Sequence, residues 1–316
     1  MKRGIIHRPA AGRSLIEILV SLAIGVVVLG AVLVTVSGTG MTGRKQDAQA
    51  QLAEEGQVAL NLIAGQLRMA GFAAPRINPE PTAPLAARFD GAPLKGCSDG
   101  FTDVAANFDA LTCGGGTAHA LSIRYEGDIF NTVPAGGNPT DCLGTQLNVL
   151  TPSALPGEPP FILVDNRFFI RDNPQTGNPA LYCRGSGGAA PQVLVDNVED
   201  MQVLYGVMAP TRDALDNAAW EGSTVRYLTA EQLEAAFPAP NPLPARCSVS
   251  SGEQPDPWCH VTSVRVCLLM RSADNAADEP MSFQNCEGDV EGAADRRIRR
   301  AMSTTVSLRN RITVAP

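Results

Sequence analysis

Residues 18–43 read ILVSLAIGVVVLGAVLVTVSGTGMTG, without one charged side chain. At about 1.5 Å per helical residue, this run is long enough to cross a hydrocarbon layer of roughly 30 Å. Ahead of it lie Lys2, Arg3, Arg8 and Arg13; behind it, Arg44 and Lys45 are soon followed by Asp47, Glu54 and Glu55. The heavier positive flank stays in the cytoplasm, which puts the C-terminal bulk on the far side of the membrane. All eight cysteines (Cys97, Cys113, Cys142, Cys183, Cys247, Cys259, Cys267 and Cys286) fall beyond the run. Cysteines confined to the exported side read as disulfides in an oxidising compartment.

A secretory signal peptide would carry a shorter apolar core, about 7 to 15 residues, ending in a small-x-small cleavage site. Here the run is longer and has a carboxylate, Glu17, at its start. An ionisable group in a membrane segment is costly and usually has a partner or a task. The 316-residue chain as a whole has 30 Gly, 24 Pro, 18% charged residues and a net charge of −7. That length holds a real core and at most about two domains. The acidic balance argues against nucleic acid as a partner.

Beyond the run, RKQDAQAQLAEEGQVALNLIAGQLRMAGF places Ala48, Leu52, Ala59, Leu62, Ile63, Leu67 and Ala70 at helical spacings on one face. Gly71 and Pro75 stop the helix. The prediction is one helix of about 55 residues from Ser14, near 80 Å if straight, with bends where Gly56 and Gly65 weaken it. Further on, strands are expected at 118–125, 161–170, 192–195, 200–207, 261–270 and 302–308. Residues 75–93, 134–160 and 238–257 are rich in Pro and Gly and read as irregular. The fold class is α+β, an antiparallel sheet packed on the helix with long loops tied by disulfides. Eight cysteines allow 105 pairings, and sequence does not choose among them. The expectation is that neighbours pair: Cys97 with Cys113, Cys142 with Cys183, Cys247 with Cys259, and Cys267 with Cys286.

Gly12-Arg13-Ser14-Leu15-Ile16-Glu17, after a short basic leader and before ILVSLAIG, resembles the type III signal of type IV prepilins and pseudopilins. The resemblance implies cleavage after Gly12 by a prepilin peptidase, N-methylation of Arg13, and an assembly role for Glu17. Arg13 departs from the phenylalanine usual there. The run QLAEEGQVALNLIAGQLRMAGF is similar to the post-membrane segment of PilW-type minor pilins, E-x-G-R-x-A-L-x-x-L-x-x-x-L-R-x-A-G-[YF]. Glu54, Gly56, Ala59, Leu60, Ile63, Leu67, Arg68, Ala70, Gly71 and Phe72 fit, and Gln57 replaces the arginine. Residues 193–207, 261–272 and 304–311 look like the family's late strands.

The implied organisation is a leader at 1–12, an assembly half of the helix at 13–43, an amphipathic half at 44–72 and a β-rich head at 73–316. The implied partners are other minor pilins, the major pilin, a tip adhesin, the prepilin peptidase and the inner membrane. The head would be periplasmic and then part of the pilus, with roles in adhesion and twitching motility. A minor pseudopilin of the type II secretion system shares the signal and the helix. A membrane-anchored periplasmic enzyme or binding protein is the alternative of a different class.

Signals for chemistry are thin. No G-x-S-x-G or H-E-x-x-H occurs, CGGGT (113–117) and GSGG (185–188) lack Walker or Rossmann spacing, and both read as turns. His119 in a strand reads as structural. No C-x-x-C pair suggests zinc, and Asp99, Asp103 and Asp109 do not match a calcium loop. No cofactor and no metal are expected. Arg296, Arg297, Arg299 and Arg300 follow Glu287, Asp289, Glu291 and Asp295, a self-neutralising exposed segment rather than a nucleic-acid patch.

Overall fold

Helix α1 is uninterrupted from Leu15 to Met69 in a computed structural model, which describes residues 14–76, 86–153, 157–207, 210–212, 218–220, 226–237, 247 and 255–310. The chain divides into two compact units, one ending at Ala48 and the other starting at Gln49. In the first unit the helix is built largely from Val, Ile and Leu, of which Val and Ile favour strands in water. Where no water reaches the backbone, a lone segment must pair its own N–H and C=O groups, and a helix does so. Every Leu, Ile and Val from Leu15 to Val34 is more than half exposed.

In the second unit the same helix is amphipathic. Leu52, Ala59, Leu60, Ile63, Ala64, Leu67 and Ala70 are buried, whereas Leu62 is 43% exposed. The buried face therefore passes through Leu60 and Ala64 rather than Leu62, a correction to the expected face. Gly56 also points inward: a Cβ there would sit 2.5 Å from Met302 Sδ and 3.0 Å from Met270 Cγ. The glycine read as a weak point lets the helix pack tightly against Met302 and Met270 of the sheet. Gly71, with φ +74°, takes the left-handed turn that ends the helix.

Two antiparallel sheets follow. The first runs β1 (Leu94–Cys97), β2 (Ala120–Gly127), β3 (Phe161–Asp172), β4 (Pro179–Arg184) and β5 (Gln192–Asp196) in that order, with Leu150–Thr151 also paired to β3. The second has β6 (Val198–Val207) and β8 (Val261–Arg271) at its centre, flanked by β7 (Arg226–Leu228) and β11 (Arg299–Ser307). A hairpin of β9 (Ser282–Gln284) and β10 (Val290–Gly292) and a short helix α2 (Ala230–Ala236) complete the unit, with minor pairings at 75–76 with 86–87 and 210–212 with 218–220. Each expected strand has its counterpart within a few residues. Strands β1, β4 and β7 and the β9–β10 hairpin were not expected, being short and lacking a run of alternation to reveal them.

Both faces of the first sheet are covered. Leu121, Ile123 and Tyr125 alternate with Ala120 and Ser122 along β2, and all five are buried. Ala120, Phe169 and Tyr182 pack with Phe101 and Leu111 of the 98–112 loop in one apolar cluster. Four disulfides join Cys97 to Cys113, Cys142 to Cys183, Cys247 to Cys259 and Cys267 to Cys286, and no cysteine is free. The fold is α+β, a long N-terminal helix with antiparallel sheets and disulfide-tied loops.

Candidate functional site

The residues singled out for assembly lie at the start of α1. Gly12 and Arg13 fall outside the described residues. Glu17 occupies the first helical turn, where its carbonyl accepts a bond from Ser21 Oγ at 2.7 Å. Its carboxylate is exposed, at the edge of the segment Leu15–Thr35, which is long and apolar enough to cross a membrane. A carboxylate at the N-terminal end of a helix is favoured by the macrodipole. Within the hydrocarbon layer it would still lack the opposite charge that makes such burial tolerable.

In the second unit, polar groups that the periodicity did not reveal fix the helix on its sheets. Tyr125 Oη and Asn166 Nδ2 both donate to Gln66 Oε1, at 2.9 and 2.8 Å. Asn166 Oδ1 accepts from the Cys142 amide at 3.0 Å, so one buried asparagine links helix, sheet and the Cys142–Cys183 loop. Burial pushes the Tyr125 hydroxyl up to about 12. Glu126, 3% exposed, accepts from Arg88 and from the Ala74 amide, which ties down the chain leaving the helix. The only hint of these pairs in the sequence is a polar residue at an inward strand position.

The other candidates resolve individually. Among the described residues, the group nearest to a metal site is Asp99, Cys113 and Glu231, but Cys113 is in a disulfide and offers no thiolate. Asp103 caps its own turn by accepting from the Ala105 amide, and Asp109 stands 3.7 Å from Arg124. The CGGGT segment is a turn with Gly114 and Gly115 at positive φ, and in the GSGG segment the Gly187 amide donates to Asp141. His260 stacks on Phe237 at 4.1 Å. The arginine segment is self-neutralising, but it is not exposed throughout. Arg299 is largely buried between Asp295 at 2.6 Å and Glu199 at 2.5 Å, and bonds to these two hold its guanidinium above the usual arginine range.

Strands β6, β8 and β11 carry the late segments that resemble the strands of PilW-type minor pilins. Residues 167–310 match the family model of PilW, the type IV pilus-assembly protein W. The PilW match takes in β4 to β11 and the end of β3; α1 precedes it. No curated protein matches the chain. Among solved structures, the chain is similar to the type IV-like pilin TTHA1219 from Thermus thermophilus, at 11% identity and a TM-score of 0.37, over 82% of this chain and 96% of that one.

Proposed function

We propose that this chain is a minor pilin: a structural component of type IV pilus assembly, acting in the initiation or tip complex through helix packing and contacts between heads. The observation that carries this reading is a single helix whose first part is an exposed apolar segment with Glu17 near its start, joined to a head of which residues 167–310 match PilW. Cleavage after Gly12 by a prepilin peptidase would leave Glu17 five residues into the mature chain. A carboxylate in low dielectric is strongly disfavoured until an opposite charge reaches it. The amino terminus of a neighbouring subunit supplies that charge, so Glu17 sets the register between packed helices. Before assembly the protein sits in the inner membrane with its head in the periplasm.

The test is Glu17→Ala in cells that assemble pili. The variant is expected to insert in the membrane and to be cut to an Arg13 N-terminus, yet to fall at least tenfold in sheared pili. Normal amounts in the sheared fraction would sink the proposal. A mature N-terminus at Met1, or after Gly43, would point instead to a plain membrane anchor.

A further inference from the structure

Side chains alternate between the two faces of β6, β8 and β11. Gln202, Cys267 and Ser303 share one row across the three strands, and Leu204, Arg265 and Thr305 the next. They occupy the face opposite that of the buried Val203 and Val266. The β9–β10 hairpin is fastened on this outer face by the Cys267–Cys286 bond and by Arg299, whose guanidinium lies 5.3 Å from the Phe283 ring. A groove of about 570 Å³ opens between hairpin and sheet.

No residue of the hairpin from Ser282 to Gly292 is buried, so it adds nothing to the core that would explain a covalent clamp. Its tip is preformed. Gln284 Nε2 donates to the Gly288 carbonyl, and Asn285 Oδ1 accepts from the amides of Glu287 and Asp289. The facing wall is ordered too. The Arg265 guanidinium lies 4.4 Å from the centre of the Tyr227 ring, and Tyr227 Oη accepts from Ser263 Oγ. Stacking holds the guanidinium plane and leaves its N–H edges without an acceptor among the described residues. That is the arrangement in which arginine takes a carboxylate in a bidentate way. On the hairpin, the Glu287 carboxylate likewise has no cationic partner among the described residues, and the side chains of Gln202 and Ser303 are free there as well.

We propose that this groove binds an extended peptide segment, with an acidic side chain on Arg265, a basic one on Glu287, and its main chain hydrogen-bonded to Gln202 and Ser303. Charges of both signs facing one groove do not suit a purely anionic ligand, and among the described residues no aromatic ring lines it to stack on a sugar. The site does not depend on filament assembly and can be assayed with the purified full chain.

The probe is an acetylated, amidated tetrapeptide with lysine at one end and aspartate at the other. It is titrated into the detergent-solubilised full chain and followed by calorimetry. A second peptide carries glutamine and asparagine in place of the two charged residues. The charged peptide is expected to bind at least tenfold more tightly than the uncharged one, and Arg265→Glu and Glu287→Lys are each expected to weaken it at least tenfold. Both substitutions are at exposed positions, and unchanged thermal unfolding will show that the fold is intact. Equal affinity for the two peptides, no binding of either up to millimolar concentration, or binding of maltotetraose in their place would overturn the proposal.

Discussion

Tyr205 and Gly96 form a pair in which each residue explains the other. The Tyr205 ring is 1% exposed and meets Trp258 edge-on at 4.9 Å. Its hydroxyl has no hydrogen-bond partner among the described residues, and burial pushes its titration far above the ordinary tyrosine value. A Cβ on Gly96 would overlap that hydroxyl. Tyr205→Phe keeps the ring and removes a buried unpaired group, so it should be neutral or stabilise by about 1 kcal/mol. Gly96→Ala overpacks the same spot and should cost about 1–3 kcal/mol. Denaturant midpoints of the two variants will check both signs, and a strongly destabilised Tyr205→Phe would mean that the hydroxyl has a partner after all. Tyr205 was legible as part of the alternating face of its strand, but Gly96 was not, because a glycine in LKGC looks the same whether it faces solvent or a phenol. That the cysteines form disulfides was legible from their positions, since the stretch before Cys97 has none and all eight are bonded.

At the scale of elements, the two halves of α1 were legible for different reasons. The first half is defined by the absence of charge, which survives any rotation about the helix axis. The second depends on which way a face points, and adjacent positions differ by about 100°. Leu62 and Ile63 both satisfy spacings of three and four, yet only Ile63 is fully buried. Ile63→Ala should therefore cost about 2–5 kcal/mol, while Leu62→Ala should stay within about 0.5 kcal/mol. Comparable losses in equilibrium unfolding would place the helix face elsewhere. The sheets were legible where strands are long and alternate, as in β6. β4 escaped because six residues of PALYCR give too little period. The groove under the β9–β10 hairpin was invisible although the Cys267–Cys286 pairing was expected, since strands of three residues show no alternation to reveal them.

For the molecule as a whole, His119 makes stability depend on pH. Its Nδ1 lies 3.1 Å from both the Val203 amide and the Val203 carbonyl, and accepts from the one or donates to the other according to the tautomer. Burial lowers its pKa below the ordinary 6.5, against the opposing pull of Asp200, the Val203 carbonyl, Glu231 and Glu287. The unfolded chain thus takes up a proton first. The stability His119 contributes is present above pH 6.5 and is lost as pH falls through the lowered folded value. Asp200, whose carboxyl burial pushes up, has the opposite slope and acts from the carboxylate range upward. The melting temperature should fall between pH 7.5 and 6, and His119→Gln should flatten that fall; an unchanged slope in the variant would assign the effect to other groups.

The four disulfides enclose separations of 16, 41, 12 and 19 residues, and none crosses or encloses another. Each cysteine is joined to the next one along the chain, by turns. If the head crosses a membrane in chain order while the N-terminal flank stays behind, these thiols emerge two at a time. If each bond closes when its second cysteine emerges, the correct partner is the only one within reach. Such a protein needs an oxidant at the exit of the translocation pore and has no wrong bonds for an isomerase to reshuffle. Its maturation would then keep pace with its delivery, one closed loop after another.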